Sequence, residues 1–210
     1  MVDFTKPRFI AVEGIDGSGK STQAKMLRER LESLGAKAVF DFEPTDRRIG
    51  RLIREILAGS EKADPRTVAL LFAADRLEHV TDKNGILQNL KNGTSVISDR
   101  YYFSSYAYQK LDMPLEWVME INKWAKELAR PDIYLFIDVP IDVCLERIYK
   151  NRQTTSDIFE NEQSLTRARN NFLEVIEKTK DSENVVIVDG SGSLEEVADR
   201  VFEAVKPIFE

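Results

Sequence analysis

Nine consecutive residues, Gly14 to Thr22, have the types needed to hold a polyanion. Gly14 is followed by the free positions Ile15, Asp16, Gly17 and Ser18, then by Gly19, Lys20 and Ser21. This is the pattern Gly-x-x-x-x-Gly-Lys-[Ser/Thr]. Its glycines let the backbone wrap closely and aim N–H groups at phosphate oxygens. Lys20 can reach the outer phosphates of a nucleotide, and the Ser21 hydroxyl suits a Mg²⁺ ligand position. Thr22 continues into a helix whose N-terminus adds partial positive charge. Asp16 is the exception, a carboxylate in a loop that must hold anions. A residue early in such a loop can turn its side chain away while its backbone still serves the phosphates.

Two further stretches carry residues that could do chemistry. In Ile97–Gln109 an apolar run ends in Asp99–Arg100 and leads into a Ser- and Tyr-rich segment. A carboxylate at a strand end can hold Mg²⁺ through water, and an arginine beside it can reach a phosphate bidentately. In Leu70–Val80, Phe72 and Arg76 stand four residues apart, on one helical face. An aromatic ring and a guanidinium so placed can stack on a base and donate to its carbonyl edge. A core phenylalanine beside a surface ion pair has the same spacing.

The elements that must position these residues alternate in type. Five short apolar runs read as strands: Phe9–Glu13, Ala36–Phe42, Thr94–Asp99, Ile133–Val139 and Asn184–Asp189. They are continuously apolar rather than alternating, as in parallel strands covered on both faces. Between the first two, Ala24, Leu27, Leu31 and Leu34 share one helical face, and Gly35 suits a helix stop. Asp64–Pro65 reads as an N-cap followed by proline at the first helical position. Pro114–Pro131 contains one further helix, and Ser193 with Glu196 forms a capping box for the last. Alternating β and α units imply a doubly wound, five-stranded parallel sheet with helices on both faces, with ligands beyond the C-terminal strand ends. The phosphate loop follows a strand and opens a helix, the context that separates it from a chance match.

Composition narrows the partners. A length of 210 residues suits one domain, and a net charge of −6 argues against a nucleic-acid-binding surface. The single cysteine, Cys144, cannot form an internal disulfide and points to a reducing, cytoplasmic setting. The single histidine, His79, rules out a histidine-rich metal site. The first residues lack the apolar core of a signal peptide, and no apolar run is long enough to span a membrane. The guanine-reading Asn-Lys-x-Asp is absent, which leaves a small phosphoryl-transfer enzyme as the favoured class.

The segments Glu13–Thr22, Phe42–Thr45, Leu70–Arg76 and Asp99–Gln109 together resemble the thymidylate kinases, with similarity from about Phe9 to the last helix. The resemblance implies one P-loop nucleoside monophosphate kinase domain over residues 1–210. It implies transfer of phosphate from ATP, with Mg²⁺, to dTMP, and a homodimer through helices on one sheet face. Phe72 would stack on thymine and Arg76 would bond a thymine carbonyl. Arg100 would hold the monophosphate and face the transferred phosphoryl. Ser105, Tyr108 and Gln109 would line the base and sugar pocket, and Asp16 would meet the acceptor's 3′-hydroxyl. Gly14 to Thr22 would bind ATP, with Lys20, Asp99 and Arg100 catalytic and Ser21 and Asp99 near the metal. The resemblance also implies a mobile lid at about 145–160, with Arg147 and Arg152 as its catalytic candidates. Some members carry a basic residue in the phosphate loop, where this chain has Gly17. Many carry an arginine where this chain has Ile158. One of Arg47, Arg48 and Arg51 would contact the acceptor phosphate. A kinase for another pyrimidine nucleotide or deoxynucleoside, and a non-catalytic ATP-binding regulator, are the competing readings.

Overall fold

The computed structural model describes residues 2–151 and 158–210. Five strands form one parallel sheet: β1 (Phe9–Glu13), β2 (Ala38–Phe42), β3 (Ser95–Asp99), β4 (Ile133–Asp138) and β5 (Val185–Asp189). Their order is β2-β3-β1-β4-β5. The helices around them are α1 (Lys20–Ser33), α2 (Arg48–Leu57), α3 (Pro65–Thr81), α4 (Ile86–Lys91), α5 (Tyr102–Gln109), α6 (Leu115–Ile121), α7 (Lys123–Leu128), α8 (Ile141–Asn151), α9 (Ile158–Thr179) and α10 (Leu194–Val205). A short 3₁₀ turn, Lys206–Phe209, closes the chain.

The continuous apolar pattern is explained for the inner strands, since β1 and β3 are buried along their whole length. The outer strands β2 and β5 are only partly covered, and Ile187 of β5 is exposed. Strand β2 starts two residues later than its apolar run, because Gly35 and Ala36 end α1 instead. Gly35, at φ 91°, donates to the Glu32 carbonyl and Ala36 to that of Leu31, the paired bonds of a Schellman stop. Helix α1 buries Ala24, Leu27 and Leu31, while Leu34, at the cap, stands outside the core. The Asp64 carboxylate accepts the Arg66 N–H with Pro65 behind it, and the Ser193–Glu196 box is formed in both directions.

The Pro114–Pro131 segment is two helices rather than one. Asn122 separates them: its amide donates back to the Val118 carbonyl, and its carbonyl oxygen accepts from Arg76. A buried Asn that serves a guanidinium competes with the helical ladder. Helices α2, α4, α8 and α9 were not foreseen, although Leu165, Ala168, Phe172, Val175 and Ile176 bury one face of α9 at helical spacing.

Strand register brings three C-terminal strand ends together. Val12 lies opposite Asp99, and Phe42 lies opposite Asp99 from the other side. Helix α3 is tied to this edge by buried polar contacts. Asp75 accepts from the Thr45 N–H at 2.8 Å and its hydroxyl at 2.6 Å. The fully buried His79 lies 3.0 Å from Glu43 through Nδ1 and 3.0 Å from Asp41 through Nε2.

Burial alone would lower the His79 pKa, but its bonds to Asp41 and Glu43 outweigh it and raise the pKa from 6.5 to about 9. A histidine with a raised folded pKa gives stability that is complete below the unfolded value and lost as pH rises through the folded one. Glu13, which burial raises to about 7, is half ionised at pH 7 and adds a decline of the same sign up to about pH 8, so the part carried by His79 is read from its variant. Thermal unfolding from pH 7 to 9 should therefore show falling stability, approaching about 1.4 kcal/mol per pH unit for one proton. The slope should flatten in His79→Gln. A flat wild-type profile would contradict a charged His79.

Candidate active site

The loop from Gly14 to Gly19 leaves β1 and enters α1, as its pattern requires. Gly19 is the N-cap, at φ 89°, and Ser18 donates to the Ile15 carbonyl at 3.2 Å. Lys20 is nearly buried and its ammonium lies 3.4 Å from Asp16. Burial and the nearby Arg100 charge draw the Lys20 pKa down, against the pull of Asp16 and Asp99. The Ser21 hydroxyl donates to Asp99 Oδ2 across the β1–β3 seam. The other oxygen, Asp99 Oδ1, is buried without a hydrogen-bond partner among the described residues.

Gly17 has a reason of its own. It sits at φ 81°, and a Cβ there would come within 2.5 Å of the Cys144 carbonyl oxygen in α8. Backbone cannot yield to that contact, so no basic side chain fits at this position. The same close approach of α8 brings in Arg147, whose guanidinium donates to the Ser18 carbonyl at 3.1 Å. Arg147, in the stretch expected to form a lid, thus touches the loop from α8. Arg152 and the stretch 152–157 lie outside the described residues.

After β3 the chain turns sharply. Arg100 is in the left-handed region, at φ 74°, unusual for a residue with a side chain. Its guanidinium donates to Asp16 at 2.6 Å and to the Ser104 hydroxyl at 3.0 Å, and lies 5.2 Å from the Tyr108 ring centre. Asp16 therefore reaches across to Arg100. Partial burial disfavours its charge, but Arg100 and Lys20 hold the carboxyl below its usual range.

A cleft of about 550 Å³ opens beside this turn. Phe72, Arg76, Arg100, Ser105, Tyr108 and Gln109 all line it, together with Asp16, Glu43 and an apolar margin of Leu57, Val68 and Met113. The structure thus brings these six residues, from α3, the turn after β3 and α5, to one cleft. Arg76 is fully buried, and four of its five N–H groups donate hydrogen bonds. Nε donates to Glu43 Oε2 at 2.8 Å, and one NH₂ group lies 2.7 Å from the same oxygen and donates to the Tyr101 carbonyl at 3.1 Å. The other NH₂ group donates to Ser105 at 2.8 Å and to Asn122. Glu43 thus anchors this guanidinium. Arg47 faces Asp82 at 3.7 Å, Arg51 donates to the Asp46 carbonyl, and Arg48 is exposed. None of the three is among the residues lining the cleft.

A second pocket, of about 280 Å³, lies on the other side of the loop. Ser18, Gly19, Thr22, Gln23 and Arg147 form one wall, and Gly190, Gly192, Ser193, Leu194 and Val197 the other. Gln23 ties the walls together by donating to the Leu194 carbonyl at 3.1 Å. Sequence reasoning did not place Gln23 or the turn after β5 in the site. The Gly-Ser-Gly-Ser run at a strand's C-terminal end was the available signal.

A family model described as "Thymidylate kinase" matches residues 12–201. The chain is 41% identical over 204 residues to a probable thymidylate kinase of Pyrococcus abyssi, covering 94% of this chain and 95% of that protein. A probable thymidylate kinase of Methanococcus maripaludis is 39% identical, with 94% of each chain covered. One from Methanocaldococcus jannaschii is 37% identical, covering 95% of this chain and 96% of that protein. The P-loop sheet, the loop flanked by two pockets and these matches lead to one conclusion: the chain belongs to the thymidylate kinase family.

Proposed function

We propose that the larger cleft receives dTMP and the smaller pocket receives the base and sugar of ATP, so that the protein transfers the γ-phosphoryl group to dTMP. The observation that carries this reading is one phosphate loop with a pocket on each side. Asp16 lines the acceptor side, and Ser18, Gly19 and Thr22 line the donor side. A regulator that only binds ATP has no use for the second pocket.

In this reading Phe72 stacks on thymine and Arg76 serves its carbonyl edge. The Arg76 bonds to Glu43 join buried charges, so the donors shared with the neutral Ser105 and Asn122 are the ones to exchange. Tyr108 and Gln109 border the sugar and base. Arg100 takes the acceptor phosphate, and Asp16, released from Arg100, takes the 3′-hydroxyl. The acceptor needs no general base, because a phosphate monoester is largely ionised at pH 7, with its second pKa near about 6. One of its oxygens attacks the γ-phosphorus, the bond to the bridging oxygen breaks, and ADP leaves. Catalysis is then positioning and charge stabilisation. Lys20 and Arg147 stand at the loop to meet the charge on the transferred group, and Arg152 is the second candidate.

The site fits Mg²⁺. Ser21 Oγ and Asp99 offer an all-oxygen donor set, and Asp99 Oδ1 is buried without a partner among the described residues. When bound with ATP, the ion supplies neutralising charge on the phosphates. We place the protein in the cytoplasm, with a lone buried thiol and no described helix long and apolar enough to cross a membrane.

A homodimer is supported by helix α3, which exposes Leu70, Ala74 and Leu77 along one stripe, and by Trp124 on the adjoining α7. Sedimentation should give twice the chain mass for the wild type and the chain mass for Leu70→Glu/Leu77→Glu. A wild-type monomer would remove this part of the reading.

The reaction itself is tested with a panel of monophosphates and Mg·ATP. Cytosine presents an amino group where thymine presents a carbonyl, so Arg76 would face a donor. A site built around such bonds rejects the mismatched edge strongly. kcat/KM for dTMP should exceed that for dCMP by at least about 10²-fold. Equal turnover of the two would refute the assignment of the cleft.

A further inference from the structure

We propose that Glu13 is a positioning residue that sets Arg100 for the acceptor's phosphate, acting on both its backbone and its guanidinium. The inference rests on the reading that Arg100 receives that phosphate. Glu13 is the last residue of β1, fully buried, and has no part in the transfer described above.

Its carboxylate caps a helix that has no cap of its own. The N-cap position of α5 is Tyr101, whose side chain makes no capping bond. Glu13 Oε1 instead accepts the N–H groups of Tyr101 at 2.8 Å and Ser104 at 3.2 Å. A negative charge is favoured at a helix N-terminus. Arg100 is thereby held between fixed points. Its own N–H donates to the Val12 carbonyl at 2.9 Å, and its carbonyl accepts the Ser98 hydroxyl at 2.7 Å. The next N–H, that of Tyr101, is the one that donates to Glu13. These bonds surround the one non-glycine residue with a positive φ among the described residues.

The second link runs through a hydroxyl. Ser104 Oγ donates to Glu13 Oε2 at 2.6 Å and accepts from the Arg100 guanidinium at 3.0 Å. A serine hydroxyl has one proton. With Glu13 ionised, that proton points away from Arg100 and a lone pair points toward it. An amide in place of the carboxylate removes the charge and sets N–H groups against the donors around it. The hydroxyl proton is then free to turn on the guanidinium. Burial pushes the Glu13 carboxyl up to about 7, while the Ser104 bond and the Arg100 and Arg76 charges favour its ionised form.

The test separates phosphate from nucleoside. Calorimetry would measure the affinities of dTMP and of thymidine for the full-length wild type, Glu13→Gln, Ser104→Ala, their double variant and Arg100→Ala. Glu13→Gln should lose about tenfold or more in dTMP affinity, the size of one hydrogen bond to a charged group, and leave thymidine unchanged. Ser104→Ala should shift the same ratio. The double variant should lose less than the product of the two, because both act through one guanidinium. If Glu13→Gln does not fold, Ser104→Ala carries the test alone. An equal loss of dTMP and thymidine would assign Glu13 a structural role only and overturn the inference. So would an unchanged ratio in Glu13→Gln and Ser104→Ala while Arg100→Ala loses dTMP selectively. If Arg100→Ala spares dTMP, the Arg100 reading itself fails and the inference falls with it.

Discussion

The register of β1 against β3 is the constraint on which the site depends. It sets Val12 opposite Asp99, so the root of the phosphate loop and the turn after β3 share one seam. Across that seam Ser21 meets Asp99, Asp16 meets Arg100, and Glu13 meets Tyr101 and Ser104. A shift of one residue would turn every side chain of β3 to the opposite face and break all of these contacts together. The full burial of both strands is what makes such a shift costly.

A second layer of organisation is electrostatic. Half-buried Asp41 and the buried His79, Glu43 and Arg76 form a row of alternating charge from β2 to the floor of the cleft. Each member is tolerable in the interior because its neighbour is opposite in sign and within hydrogen-bonding distance. Removing one partner of a buried pair typically costs about 3–5 kcal/mol, since the other charge remains without compensation. The row therefore fixes the orientation of Arg76 before any base arrives. It also explains why the Phe42–Thr45 segment and the Asp75–Arg76 pair belong to one functional unit. Thr45 binds Asp75 and Glu43 binds Arg76, although about thirty residues separate them in the chain.

What was legible in the sequence was local. The phosphate loop, the Asp64 and Ser193 caps and the inner strands depend on neighbours a few residues away, and their patterns predicted them. Phe72, Arg76, Arg100 and the α5 residues were grouped in sequence only through a resemblance, and in the structure they line one cleft. The rest depended on partners distant in sequence. Nothing near Asn122 announces that its amide serves Arg76 and so splits a helix. Nothing near Gly17 announces the Cys144 carbonyl that forbids a side chain there. Glu13 reads as one more strand residue until the β3 turn folds against it. Asp16 is the instructive case: its charge in an anion-binding loop is puzzling in sequence and is balanced in space by Arg100 and Lys20.

The central claim is that this seam delivers Arg100 to the acceptor's phosphate while Asp16 turns to its sugar. The most direct measurement is a crystal structure of the protein with dTMP bound. The account predicts the phosphate within hydrogen-bonding distance of the Arg100 guanidinium, and the 3′-hydroxyl at Asp16 in place of the Asp16–Arg100 pair. A phosphate held by Arg47, Arg48 or Arg51, with the Asp16–Arg100 pair intact, would contradict it.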